Sequence, residues 1–404
     1  MLGPDSRVLT ALLIAAGVAL LVATVRLRFL PVKVLCGAAT IMVAMTGGVA
    51  AVNYYYGYYT SWGQLAADFN GGTGNLGVIT ATTSTTALGS GRIGWVQYPG
   101  RLSGYSRRGL IYLPPQYSQA RYAHLRFPVV ELFHGTPGTP LTWSTVLRIG
   151  QVADSLLAQH LIGPMVLVMP AINGTGRNYQ DCVNGPAVND ETYLLKDVRR
   201  DVLARYRVSS DPSQWGAAGY SSGGYCAANL ALRHPASFGA VAVLNGYYRA
   251  ADGPAAAALS NNQSLEAANS PLYQAEQLNL NSSPLPAFWV AAGTHDKADY
   301  PAAAMFATAM NRVQQVPFVK LSASDTANAW SAALPAALAW LWQQLAPPDV
   351  RVQFPVRGTA RGLISSIPVP PVKAHYRGPC GPAVRPGRAV LPCGKLPFGQ
   401  ARKA

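Results

Sequence analysis

The sequence predicts an α/β domain, a mostly parallel sheet with helices on both faces, preceded by a hairpin of two membrane-spanning helices. Three observations carry this. Short apolar runs alternate with helical periodicity between Arg92 and Leu345. Two uncharged apolar runs, Val8 to Val25 and Val34 to Val52, lie near the N-terminus. A glycine-flanked serine, Gly219-Tyr220-Ser221-Ser222-Gly223, sits where an apolar run gives way to a helical one.

Each N-terminal run is close to the ~20 residues that cross ~30 Å of hydrocarbon. A signal peptide would explain the first run but not the second, and no small-residue cleavage site stands out. The connecting segment carries Arg26, Arg28 and Lys33. The positive-inside rule makes that segment cytoplasmic and puts everything after Val52 outside, although Arg7 weakens the contrast. Tyr54, Tyr55, Tyr56, Tyr58, Tyr59 and Trp62 are expected to follow the second helix as an interfacial aromatic belt.

The cysteines agree with that topology. Cys36 lies inside the second run, leaving Cys182, Cys226, Cys380 and Cys393. An even number in an exported region suggests two disulfides, expected as Cys182–Cys226 and Cys380–Cys393. There is no Cys-x-x-Cys pair, which argues against a zinc ribbon or thioredoxin-type site. No metal and no cofactor is expected.

Only 12% of the 404 residues are charged. That is about half the roughly 25% usual in soluble domains, and the hydrophobic N-terminus accounts for part of the shortfall. The net charge of +15 is concentrated after Ala346, where ten Lys and Arg face Asp349 alone. A basic tail suits nucleic acid or anionic lipid; the topology favours membrane lipids as partners and no nucleic acid. The tail is also Pro-rich, so no packed core is expected there beyond the small disulfide loop. Gly71-Gly72-Thr73-Gly74 is not followed by Lys-Ser/Thr, so it reads as linker rather than phosphate loop. The division is thus a hairpin (1–59), a Gly/Thr/Ser-rich linker (60–91), the α/β domain (92–345) and the tail (346–404).

Within the domain, strands are predicted at Gly109–Leu113, Phe127–Phe133, Met165–Met169, Gln214–Gly219, Ala240–Leu244, Phe288–Ala292 and Phe318–Leu321. Helices are predicted at Ser144–His160, Glu191–Tyr206, Ser222–Arg233, Pro301–Asn311 and Ala329–Leu345. Strands buried on both faces read as unbroken apolar runs, and their alternation with helices gives a parallel sheet.

The strand-to-helix turn at Ser221 carries the chemistry. A Gly-x-Ser-x-Gly turn holds the hydroxyl above the sheet as a nucleophile, and the helix start presents N–H groups to a developing oxyanion. His134-Gly135-Thr136 follows the strand ending at Phe133. There the backbone N–H of Thr136 is expected to share the oxyanion with that of Ser222, with His134 structural. Gly293-Thr294-His295-Asp296 ends a late strand, where a triad acid belongs. Asp296 is the first choice and Asp299 the second, with a helix N-cap as the competing role.

Gly219–Gly224 with Cys226, Phe133-His134-Gly135, Gly293-Thr294-His295-Asp296 and Glu191-Thr192-Tyr193-Leu194 with Asp197 together resemble one esterase branch of the α/β-hydrolases. That branch includes S-formylglutathione hydrolase and the mycolyltransferases. The likeness is greatest to membrane-tethered actinobacterial esterases, some of them linked to aminoacyl-phosphatidylglycerol hydrolysis, and covers about Arg92–Leu345. It implies an α/β-hydrolase fold and a serine esterase or acyltransferase acting on cell-envelope or lipid esters. It also implies a Gly-Gly-His with a Trp five residues after the His. Counting back from Trp330 gives Asp325, in Ala323-Ser324-Asp325-Thr326, so the general base is replaced. His295 and His375 are the remaining candidates for a base. The competing expectation is a catalytically degenerate member with a binding or scaffolding role.

Overall fold

The computed structural model describes residues 3–56, 59, 62, 65, 90–136, 138–173, 181–279 and 284–357. His375, the Cys380–Cys393 pair, nearly all of the tail and most of the 60–91 linker lie outside the described residues.

Two antiparallel helices open the chain, α1 (Arg7–Arg26) and α2 (Leu30–Tyr56). Both are long and apolar enough to cross a membrane. Their large side chains, among them Leu12, Val18, Leu21 and Met42, are exposed rather than packed into a protein core. Arg26, Arg28 and Lys33 are exposed at the turn. Helix α2 is longer at both ends than its uncharged run. Pro31 fits its first turn, where a missing N–H costs nothing. Tyr54 to Tyr56 complete its last turn instead of following it. At the other end of the hairpin Arg7 bonds the Tyr54 hydroxyl. Asn53 donates to the carbonyls of Pro4 and Tyr59, both at 2.9 Å, and accepts the Tyr59 N–H at 2.8 Å.

The strands are β1 (Arg92–Pro99), β2 (Ser106–Leu113), β3 (Val129–Phe133), β4 (Val166–Met169), β5 (Asn184–Gly185), β6 (Val188–Asn189), β7 (Trp215–Tyr220), β8 (Ala240–Leu244), β9 (Ala287–Gly293) and β10 (Phe318–Leu321). Eight form one sheet in the order β1-β2-β4-β3-β7-β8-β9-β10, and β5 and β6 make a small separate ladder. The β1–β2 and β2–β4 pairs are antiparallel; the others in the large sheet are parallel. Helices pack on both sides, giving the α/β-hydrolase architecture.

The central strands β3, β4, β7 and β8 are buried at every position, which is why they read as unbroken apolar runs. Strand β1 escaped the sequence reading for the opposite reason: it is an antiparallel edge, and buried positions alternate with partly exposed ones along much of it. The predicted helix Ser144–His160 is two helices, Pro140–Thr145 and Ile149–Ala158, separated at Arg148, whose φ is 50°. The predicted Glu191–Tyr206 helix contains a π-helical stretch, Tyr193–Val198. Past Leu345 the chain stays packed: Val350, in the helix Pro348–Gln353, is buried, and the Arg357 N–H reaches the His160 carbonyl at 2.7 Å.

Sheet register assembles the site. Phe133 at the end of β3 lies opposite Gly219 in β7, and Tyr220 lies opposite Leu244. Gly293 in β9 lies opposite Leu321 in β10. The loops that leave β3, β7, β9 and β10 therefore emerge at one edge of the sheet, where ligands of open α/β sheets bind.

Candidate active site

Ser221 is held in a backbone conformation that side chains rarely adopt, φ 53° and ψ −125°. The flanking glycines explain how the turn closes. A Cβ on Gly219 would stand 2.0 Å from the Gly223 carbonyl oxygen, and one on Gly223 would stand 2.1 Å from that of Phe133. No larger residue fits either position without moving the backbone. The Ser221 N–H is tied to the Leu244 carbonyl at 3.0 Å. Such a conformation costs about 1–3 kcal/mol and persists because its surroundings over-determine it. The helix Ser222–Arg233 starts at the next residue, so the Ser222 N–H has no acceptor within the helix.

The facing wall is the segment after β3. His134 is buried and bridges strand ends: its Nε2 accepts the Ile172 N–H at 3.2 Å, and its Nδ1 lies 3.0 Å from the Gly135 carbonyl. Accepting at Nε2 leaves the proton on Nδ1. Burial lowers its pKa to about 4. It is a neutral structural residue, as expected from its place in the sequence.

Thr136 is held by its side chain. Its Oγ1 accepts from Ser222 Oγ at 2.9 Å and from Asn173 Nδ2 at 3.0 Å, and donates to Asp181 Oδ1 at 3.3 Å. The other Asp181 oxygen accepts from the Tyr247 hydroxyl at 2.5 Å. Burial raises the Asp181 pKa to about 6, against the opposing pull of its Tyr247, Thr136 and Ser222 hydrogen bonds. The Cys182–Cys226 disulfide is formed, with Cα atoms 5.7 Å apart, and fastens this segment to the helix that starts after Ser221. Thr136 and Ser222, the two residues expected to offer backbone N–H groups, are thus locked to each other.

Asp181, Tyr247 and Asn173 were not singled out in the sequence. A signal existed for the first: Asp181 precedes Cys182, whose partner Cys226 lies in the helix after Ser221.

The opposite wall carries Asp325. Asp325 is 8% exposed, and its Oδ1 accepts the Trp330 indole N–H at 2.6 Å. Ser221 is near enough to favour the ionised form of its carboxyl group. Burial pushes its pKa up to about 7; the influence of Ser221 and the bond from Trp330 oppose this, and the charges of Asp296 and Asp299 add to it. Trp330 in turn stacks on Tyr220, ring centroids 4.2 Å apart.

The other candidates are placed differently. Asp296 Oδ1 accepts the N–H groups of Ala298 at 3.0 Å and Asp299 at 3.1 Å, in the turn that leads into the helix Asp299–Met310. Asp296 also lies close enough for its charge to influence Asp325. Burial, then the charges of Asp296 and Asp252, raises the pKa of Asp299 to about 6. His295 is exposed, its N–H bonded to the Ala323 carbonyl at 2.9 Å. His234 pairs with Glu191 at 2.8 Å, away from this chemistry. Among the described residues, no group of three or more His, Cys, Asp or Glu is arranged to hold a metal ion.

Comparison with known proteins agrees with this architecture. Residues 102–341 match the family model described as "Putative esterase". An uncharacterized protein of Corynebacterium glutamicum is 28% identical over 209 residues, 49% of this chain and 48% of that protein. An endo-1,4-beta-xylanase/feruloyl esterase of Xylanibacter ruminicola is 24% identical over 160 residues, 39% of this chain and 22% of that protein. The chain therefore spans less than half the length of either relative. A solved ferulic acid esterase superposes with a TM-score of 0.56 at 21% identity, covering 64% of this chain and 99% of its own. An S-formylglutathione hydrolase from Agrobacterium tumefaciens gives 0.54 at 16% identity, covering 66% and 99%. These two likenesses show the shared fold.

Proposed function

The chain belongs to the "Putative esterase" family, an ester-hydrolase family of the α/β-hydrolase fold, and from that premise we propose a membrane-anchored serine hydrolase in which Asp325 is the general base. The observation that carries the proposal is the buried Asp325 carboxyl group, held by the Trp330 indole N–H at 2.6 Å and influenced by Ser221. A serine hydroxyl is a poor nucleophile at neutral pH without an adjacent base. A base works best with a pKa near the operating pH, and burial gives this carboxyl the proton affinity of an imidazole.

The reaction then runs as follows. Ionised Asp325 takes the Ser221 proton as Oγ attacks the ester carbonyl. The N–H groups of Thr136 and Ser222 receive the oxyanion. Asp325 returns the proton to the leaving alkoxide, leaving an acyl-serine, and the same steps in reverse order deliver water or another hydroxyl. Asp296 acts at a distance: its charge, like that of Asp299, supports the raised proton affinity of Asp325.

The two apolar helices and the basic turn between them support a membrane anchor with the hydrolase domain outside the cytoplasm. That places the site beside lipid and envelope esters. A second reading, a binding or scaffolding role, is favoured by one observation: Asp296 Oδ1 accepts the N–H groups of Ala298 and Asp299 in the turn before a helix rather than orienting a base.

The full chain in detergent, assayed with p-nitrophenyl acetate and a fluorophosphonate probe, separates the two. Hydrolysis and labelling lost in Ser221→Ala, with hydrolysis reduced by a factor on the order of 10⁴–10⁶ in Asp325→Asn, support the enzyme. Absence of both labelling and hydrolysis in the native chain leaves the binding role.

A further inference from the structure

An apolar cavity of about 480 Å³ lies between the membrane hairpin and the hydrolase domain. Leu9 and Leu13 of α1 and Val49 of α2 form one wall; Thr142 and Val146 form the facing wall, with Gly138 and Tyr59 close by. Its volume falls within the roughly 300–1,000 Å³ of small-molecule sites. We propose that this cavity takes one hydrocarbon chain of a membrane lipid ester and so presents the ester carbonyl to Ser221. The inference rests on the serine-hydrolase reading above and names the substrate class of that site.

Three observations choose this occupant. First, one wall belongs to helices whose other side chains are exposed apolar groups suited to a bilayer, including Leu12, Ile14 and Met45. A hydrocarbon chain already in that layer reaches the cavity without passing through water. Second, the cavity adjoins the oxyanion segment. A Cβ on Gly138 would stand 3.3 Å from the Tyr220 hydroxyl, and Tyr220 precedes the nucleophile. Third, the hairpin is fastened at this end. Asn53 grips Pro4 and Tyr59 through three hydrogen bonds, and Tyr59 packs against the core of the domain. The wall is therefore held against the site rather than merely tethered to it.

Leucine-like walls give a lipid chain little net gain over the bilayer it leaves, since both are apolar. The cavity therefore selects by position and length: it holds a chain whose carbonyl end projects toward Ser221. For a water-soluble ester the hydrophobic gain is fully expressed, up to about fourfold in affinity per buried methylene.

The test uses the full chain in nanodiscs with a diacyl phospholipid carrying a diazirine in one acyl chain. Irradiation is expected to crosslink the peptide that holds Thr139, Thr142 and Val146. Val49→Trp, which fills the cavity from the hairpin side, is expected to reduce that crosslink at least tenfold. Val146→Trp fills it from the other wall and guards against a hairpin that fails to insert. In the same preparations kcat/KM should rise along the p-nitrophenyl series from acetate to octanoate, and Val49→Trp should flatten the series while leaving acetate within about twofold. Crosslinks confined to exposed hairpin residues such as Leu12 and Val18, or a domain crosslink undiminished by both tryptophan variants, would overturn the acyl site. The crosslink does not need turnover. Loss of Ser221 labelling with the crosslink intact therefore removes the hydrolase reading alone, and acetate hydrolysis without the crosslink removes the acyl site alone.

Discussion

On the oxyanion side of Ser221 the site is made of backbone, closed by glycines and locked by a disulfide and a buried carboxylate. On the side of the proposed base it is made of one side chain, Asp325, held by one indole and influenced by two other carboxylates. The first side tolerates almost no change. A Cβ at Gly219 or Gly223 meets backbone oxygen at about 2 Å. The second side rests on one side chain, whose exchange would alter proton affinity and reach while leaving the backbone as it is. Geometry that the backbone makes is inherited with the fold; acid–base chemistry that a side chain makes can be replaced one residue at a time.

The largest expected effect breaks the base side. A carboxyl base must be ionised to act, so kcat/KM should rise with pH and level off above about 7. Asp325→Asn should lower kcat by a factor on the order of 10⁴–10⁶ and remove that limb. Asp325→His should restore turnover with a limb set by the imidazole. A native pH–rate profile without a limb near 7 would mean that another group takes the proton.

A second effect concerns stability. The folded pKa of Asp325 lies above its unfolded value, so burying it favours the protonated form. Its contribution is fully present below about pH 4 and is lost as pH rises through about 7, a swing on the order of 4 kcal/mol. Asp325→Asn should therefore unfold at higher denaturant concentration than the native chain at pH 8, with the difference vanishing near pH 4. Chemical unfolding at the two pH values measures it.

The backbone side should break differently. Gly223→Ala forces Cβ against the Phe133 carbonyl. It should cost about 3 kcal/mol of stability through overpacking and strain, and abolish fluorophosphonate labelling even where the chain still folds. A smaller effect belongs to Asp181, which holds Thr136 through its hydroxyl. Asp181→Asn should lower kcat about tenfold to a hundredfold with KM little changed, because it loosens an oxyanion donor without touching the base.

This contrast also explains what was legible in the sequence. The elbow, the His134-Gly135 strand end and Cys182–Cys226 are local signals, set by residues close in the chain or by obligate pairing. The spacing from Trp330 singled out Asp325 in the sequence, and in the fold the Trp330 indole N–H bonds that carboxyl at 2.6 Å. Asp296 was harder. A carboxylate at a strand end before a helix suits a triad acid and a cap equally, and only the directions of the Ala298 and Asp299 N–H groups separate them. Asp181 and Tyr247 are 66 residues apart and meet only through the fold. Strand β1 was missed because an edge strand need not be continuously apolar.

Trp330 links these parts in one further way. Its indole N–H ends on the Asp325 carboxyl, and its ring lies on Tyr220, the residue before the nucleophile. The indole is thus an optical reporter wired to the proposed proton acceptor. Ionisation of Asp325 should change the emission of Trp330, and the difference in fluorescence between the native chain and Trp330→Phe, followed across pH 5 to 9, would read the charge state of the base without any substrate.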